Sequence, residues 1–226
     1  MGKGTITVGV MTLGMIGTNC YVLYRENSNA EGDLPQVGND GKTHCIVFDP
    51  ADRGEYIYDI LSKRNFVIDL ILLTHAHFDH IGGAAELMKL SGAKLCAFEG
   101  ERDLCENAEL NCSINYGKGI TVKVDEFLPD LQMIEAADMK CQLIATPGHT
   151  KGSCCYFFDE AHILISGDTL FAESVGRSDM PTGSMSSLIR SVKERLMALP
   201  DDTVVYPGHG ESTTIGNEKK YNSFIQ

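Results

Sequence analysis

Apolar and polar positions along the chain sort it into strands and helices before any single residue is considered. TITVGVM, TNCYVLYR and THCIVFDP are rich in β-branched and aromatic residues, which suit a pleated, half-buried surface, so three strands are expected near the start. Between the second and third lies NSNAEGDLPQVGNDGK (residues 27–42), whose Gly, Asn, Asp and Pro content reads as an enlarged hairpin loop. From Arg53 to Lys63 the apolar positions Tyr56, Ile57, Ile60 and Leu61 recur at helical spacing, and DLILLT then gives the unbroken apolar run of a buried strand. AAELMKL predicts a helix and AKLCAF a strand; Glu99 to Leu110 predicts a helix and Asn111 to Gly119 a loop.

The second half repeats the theme. KCQLIATP, SCCYFF and HILISGD predict strands, a helix starting near Ser184 carries Leu188, Ile189, Val192, Leu196 and Met197, and TVVYPGHG predicts a last strand and turn. Two runs of strands, each followed by helices, imply sheets packed face to face with helices outside, although segment order alone permits other α/β arrangements.

Composition narrows the class. At 226 residues, 43% hydrophobic and 22% charged, the chain reads as a globular protein, and residues 1–226 are expected to form a single domain. A formal net charge of −12, with no dense Lys/Arg cluster, disfavours nucleic acid as a partner. No segment approaches the roughly 20 apolar residues of a membrane span, and the N-terminal segment is a poor match to a signal peptide, so a cytoplasmic location is expected. The eight cysteines form no C-x-x-C pair and read as small core residues carrying free thiols, Cys105 and Cys112 being the ones expected at the surface.

Chemistry concentrates at strand ends. Five of the seven histidines fall in three short Gly-flanked segments that follow predicted strands: ILLTHAHFDHIGG, ATPGHT and YPGHG. In the first, an extended His75-x-His77 pair projects both imidazoles to one side, and Asp79 and His80 follow as the chain turns. His149 and His209 come from the other two, and SGDTLF adds Asp168. Neutral imidazole with carboxylate is a donor set that zinc, manganese and iron accept, and seven donors suit two ions bridged by one carboxylate. His44 and His162 are expected inside strands and outside this set. Thr74, Thr150 and Ser166 flank the donors as possible supports, and Arg177, Asp179 and Lys151 are candidates for meeting a substrate. For the Arg177–Asp179 pair a buried structural ion pair is the equal alternative.

These residues resemble the signature of the metallo-β-lactamase superfamily, H-x-H-x-D-H followed by separate His, Asp and His ligands. The resemblance implies an α+β fold, an αβ/βα four-layer sandwich of two mixed sheets flanked by helices. It also implies that His75, His77 and His149 hold a first metal, that Asp79, His80 and His209 hold a second, and that Asp168 bridges them. LFAESVGRSDMPTG, LPDDTVVYPGHG and the TTIGNEKK tail resemble compact glyoxalase II-like hydrolases, although Asn217 stands where those relatives carry His, and the glutathione-gripping helical domain of full glyoxalase II proteins is not expected after His209. True β-lactamases of this fold commonly have Arg at the place of His80 and Cys at that of Asp168, so antibiotic hydrolysis is not expected. Glu at the place of His77 marks the oxygen-reducing relatives, which this chain does not match.

The resemblance implies a hydrolase of thioesters, with two divalent metals as cofactors, zinc first and iron or manganese also compatible. Such a centre, with its two carboxylates and a hydroxide, keeps about one net positive charge and suits an anionic small-molecule substrate. The metals lower the pKa of bound water to roughly 7, and Asp79 orients the resulting nucleophile or takes its proton. Competing readings are a persulfide dioxygenase with one iron held by two His and one Asp, and a lactone or other ester hydrolase on the same fold.

Overall fold

Two six-stranded sheets lie face to face in the computed structural model, which describes residues 4–26, 40–117 and 119–226. The first sheet runs β1 (Thr5–Leu13), β2 (Thr18–Glu26), β3 (Thr43–Phe48), β4 (Phe66–Leu73), β5 (Lys94–Phe98) and β6 (Glu126–Leu128), in that spatial order. The pairings are antiparallel from β1 to β3 and parallel from β3 to β6. Its connections carry α1 (Gly54–Lys63), the one-turn α2 (Phe78–Ile81), α3 (Ala84–Ser91) and α4 (Arg102–Glu106).

The second sheet is built from β7 (Met133–Ala136), β8 (Met139–Ala145), β9 (Cys154–Phe158) and β10 (Ile163–Gly167). A small separate hairpin follows, β11 (Leu170–Phe171) with β12 (Ser174–Val175), and then α5 (Met185–Ser191), which continues as a wider turn to Leu196. β13 (Val204–Pro207) joins β10 in parallel, β14 (Thr213–Thr214) closes the sheet, and α6 (Ile215–Tyr221) ends the chain's regular structure.

Strict alternation along the central strands explains the layers. Tyr21 and Leu23, Ile46 and Phe48, and Cys154, Tyr156 and Phe158 face the space between the sheets, where they form one buried cluster. Their neighbours point outward: Val22, Cys45, Val47 and Leu73 pack against Ile57, Leu61 and Leu87 of α1 and α3. Cys155, Phe157, Leu164 and Val205 pack against Leu188, Val192, Leu196 and Ile215 on the other side. Strands buried on both faces read as continuous apolar runs, which is why the central ones were conspicuous in the sequence. The result is an α+β, four-layer αβ/βα sandwich of two mixed sheets.

Several expectations shift. Most of the loop expected over 27–42 lies outside the described residues. The helix expected over Glu99–Leu110 stops at Glu106, because the Asn107 side chain accepts the amides of Glu109 and Leu110 and turns the chain. Cys105 and Cys112 are buried, like the other six cysteines. His44 does lie in β3, bonded to Asp69 at 2.6 Å, but His162 occupies a left-handed turn before β10 and pairs with Asp202 at 2.9 Å. Among the described residues no helix is long and apolar enough to cross a membrane.

Candidate metal centre

Four strand ends deliver the histidines and acids singled out in the sequence. β4 leads into Thr74–Ile81, β8 into Thr146–Gly152, β10 into Asp168 and β13 into Gly208 and His209. β9 is antiparallel to both β8 and β10, and β13 is parallel to β10, so β8, β10 and β13 all end at one edge of the second sheet. The Cys154 amide donates to the Thr74 carbonyl at 2.9 Å and joins the end of β4 to that same edge.

At this edge the donor atoms of His75, His77 and His149 lie within 4.8 Å of one another, and those of Asp79, His80 and His209 do so as a second group. Asp168 stands between them. Its Oδ1 is 3.5 Å from His80 Nε2, and its Oδ2 is 3.5 Å from His149 Nε2 and 3.6 Å from His209 Nε2. All seven expected residues therefore meet in one place. Gly208 permits the approach of β13: a Cβ there would lie 2.1 Å from Asp168 Oδ1 and 2.8 Å from His80 Cε1.

Outer partners fix which imidazole nitrogen faces inward. Thr74 Oγ1 donates to Asp49 Oδ2 (2.6 Å) and so accepts from His75 Nδ1 (3.1 Å). His80 Nδ1 donates to Asp49 Oδ2 (2.9 Å), and His149 Nδ1 donates to the Arg177 carbonyl (2.7 Å). Each of these rings turns its Nε2 into the cluster. His77 Nδ1 and His149 Nε2 face each other at 2.9 Å. Among the described residues, five buried side-chain polar atoms have no hydrogen-bond partner, and four of them are here: His75 Nε2, His77 Nε2, His80 Nε2 and Asp168 Oδ1. Buried polar atoms are rarely left unpaired, so a cluster of four lone-pair donors fits divalent cations.

The electrostatics divide the cluster. Burial and the neighbouring imidazoles hold His75 well below the usual histidine range, and the same causes push His77 down to about 3. His149 is lowered by burial too. Burial would also lower His80 and His209, but Asp79, Asp49 and Asp168 around the first, and Asp79 and Asp168 around the second, raise both. Burial would raise Asp79, yet His80, His209 and the Thr18 hydroxyl at 2.8 Å hold it well below the carboxylate range. The three-His half is thus neutral, as cation ligands must be.

Some contributors lie outside the sequence expectation. Asp49, at the end of β3, takes the Thr74 amide (2.7 Å) as well as Thr74 Oγ1 and His80; its signal was a strand-end acid in THCIVFDP, matching Asp168 in HILISGD. Thr18 on β2 and the buried Glu101 gave no such signal. Of the flanking hydroxyls, Thr74 touches a site imidazole, whereas Ser166 donates to the Leu170 carbonyl (2.9 Å) and anchors backbone. Arg177 and Asp179 form an exposed bidentate pair at 2.7 and 2.8 Å, which removes the buried-pair alternative. Lys151 pairs with Asp103 of α4.

Comparison with known proteins adds to the geometry. Residues 37–209 match the sequence profile of the metallo-beta-lactamase superfamily. The hydroxyacylglutathione hydrolase GloC of Haemophilus influenzae is 30% identical over 82% of this chain and 89% of its own. The solved structure of BLEG-1, a B3 metallo-beta-lactamase, is 32% identical with a TM-score of 0.85, covering 97% of this chain and 99% of its own. TTHA1623, solved in a di-iron-bound form, is 30% identical with a TM-score of 0.79, covering 96% and 100%.

Proposed function

The chain belongs to the metallo-β-lactamase superfamily and is a metallo-hydrolase of that fold, and from this premise we propose that it hydrolyses thioesters of small anionic thiols at a two-metal centre. In this reading His75, His77 and His149 would hold one divalent cation and Asp79, His80 and His209 the other, with Asp168 placed to serve both. The observation that carries it is the set of four unpartnered buried donor atoms, with the opposite nitrogens of His75 and His80 already fixed by Thr74 and Asp49. Zinc is the first candidate, and the di-iron form of TTHA1623 supports iron as an alternative.

When bound, two divalent cations would supply the hydrolytic chemistry, a water acidified to a pKa of roughly 7 and a polarised carbonyl. The protein's own groups position the reactants. Asp79, tied by the Thr18 hydroxyl, accepts a hydrogen bond from the attacking water and orients it. Asp49 and the Arg177 carbonyl hold the rings of His80 and His149 in register. Arg177, whose carbonyl holds His149, has an exposed guanidinium that would exchange Asp179 for a carboxylate of the thiol carrier.

Likeness to GloC supports the thioester class, and likeness to BLEG-1 favours a second reading, β-lactam ring opening, despite His80 and Asp168. Purified enzyme assayed in parallel for thiol release from S-hydroxyacylglutathione and other S-acyl thiols, and for β-lactam opening, separates the two. Thiol release lost in His77→Ala is the expected result. β-Lactam turnover without thioester turnover would transfer the assignment to the second reading.

A further inference from the structure

Glu101 lies outside the metal cluster, in the short turn between β5 and α4, yet it is 1% exposed. Its Oε1 accepts the Ala76 amide at 2.8 Å, and Ala76 is the residue between His75 and His77. Its Oε2 accepts the Thr150 hydroxyl at 2.9 Å, next to His149, and the Gly152 amide also donates to this carboxylate. One side chain from a third segment therefore grips both loops that carry the three-His group. The loops are built for this approach: a Cβ on Gly152 would lie 2.4 Å from Glu101 Oε2 and 2.2 Å from the Gly100 carbonyl carbon. Thr150 and Ser153 complete the knot, with their hydroxyls 2.8 Å apart and the Thr150 amide donating to Ser153 Oγ at 3.0 Å.

A carboxylate buried this deeply has to recover its desolvation through its hydrogen bonds, and here those bonds come from the two loops that carry the three histidines. Its geometry spans two loops whose separation sets the distance between His77 and His149. The second group is held by other means: Phe78, at the start of α2, donates its amide to the Asn111 carbonyl at 3.0 Å, and His80 leans on Asp49. We propose that Glu101 is a positioning residue for the His75/His77/His149 half of the centre, fixing the spacing of those imidazoles while leaving the Asp79/His80/His209 half untouched. The inference rests on the two-metal reading above.

The test is titration of metal-stripped wild type, Glu101→Gln, Glu101→Ala and Thr150→Val with cobalt(II), following the visible absorption of each binding step, with unfolding midpoints of the metal-free proteins recorded alongside. Glu101→Gln keeps the shape and one acceptor but turns an NH2 toward bound donors. The expected result is one cobalt step weakened roughly 10- to 100-fold, more in Glu101→Ala than in Glu101→Gln, with the other step unchanged. Thr150→Val, which removes one donor and keeps the side-chain shape, shows the same selectivity and covers the case in which Glu101 variants fail to fold. Lowered metal-free stability with both cobalt steps unchanged, or both weakened alike, overturns the assignment. Wild type that binds no cobalt pair defeats the two-metal reading instead.

Discussion

Asp49 illustrates how far single residues outside the His/Asp cluster govern it. It accepts from the Thr74 amide, the Thr74 hydroxyl and His80 Nδ1, all buried. Asp49→Ala strands three donors, each at about 1–3 kcal/mol, and frees the His80 ring. Metal titration of that variant is expected to show a roughly 10- to 100-fold weaker second ion and calorimetry a lower unfolding temperature; affinity equal to wild type would remove Asp49 from this role. Arg177→Ala removes an exposed charge, so steady-state kinetics should show KM raised roughly threefold to fivefold with kcat retained. A kcat loss at unchanged KM would place Arg177 in the chemical step instead. The seven clustered residues were legible because they sit in short contiguous motifs at strand ends. Thr18 and Glu101 were not, and Asp49 showed only as a strand-end acid, because they meet their partners 61, 25 and 25 residues away in sequence (Asp79, Ala76 and Thr74 respectively), and single carboxylates or hydroxyls carry no periodic signal.

Elements were legible where they were long enough to show an apolar or β-branched pattern. β4, β9 and β10 stood out as apolar runs, whereas β6 and β7, of three and four residues with mixed exposure, left no pattern to read. The expected helix over Glu99–Leu110 was cut short by the Asn107 side chain, a local competition that helical spacing does not register. The TTIGNEKK tail forms α6, capped by Thr214 and resting on the buried Glu218. Glu218 accepts the Glu173 amide, Asn222 Nδ2, Thr213 Oγ1 and Asn217 Nδ2, and so ties α6 to the β11–β12 hairpin that follows Asp168. Asn217 thus has a bracing role in this chain. Glu218→Ala should cost about 3 kcal/mol, a fall in unfolding temperature of roughly 6 to 12 °C, measured by circular dichroism. A fall of under a degree would show that α6 is held by its apolar face alone.

Across the whole molecule, the four-layer plan followed from two strand–helix runs together with the family resemblance, since segment order by itself admitted other arrangements. The depth of the centre comes from long-range pairing at one sheet edge, which periodicity cannot supply. We infer that the chain unfolds as one cooperative unit, because the core between the sheets draws on both halves. Backbone circular dichroism and tyrosine signals, in a chain with eight Tyr and no Trp, should then give coincident transitions. Added metal at 100 times its dissociation constant should stabilise the fold by about 2.7 kcal/mol. Separate transitions would mean that the two sheets fold independently. The most direct test of the central claim is elemental analysis of the protein purified without added metal or chelator. Two divalent ions per chain are expected, with fewer in His77→Ala. A single iron per chain accompanied by oxygen uptake, or no retained metal in active enzyme, would contradict it.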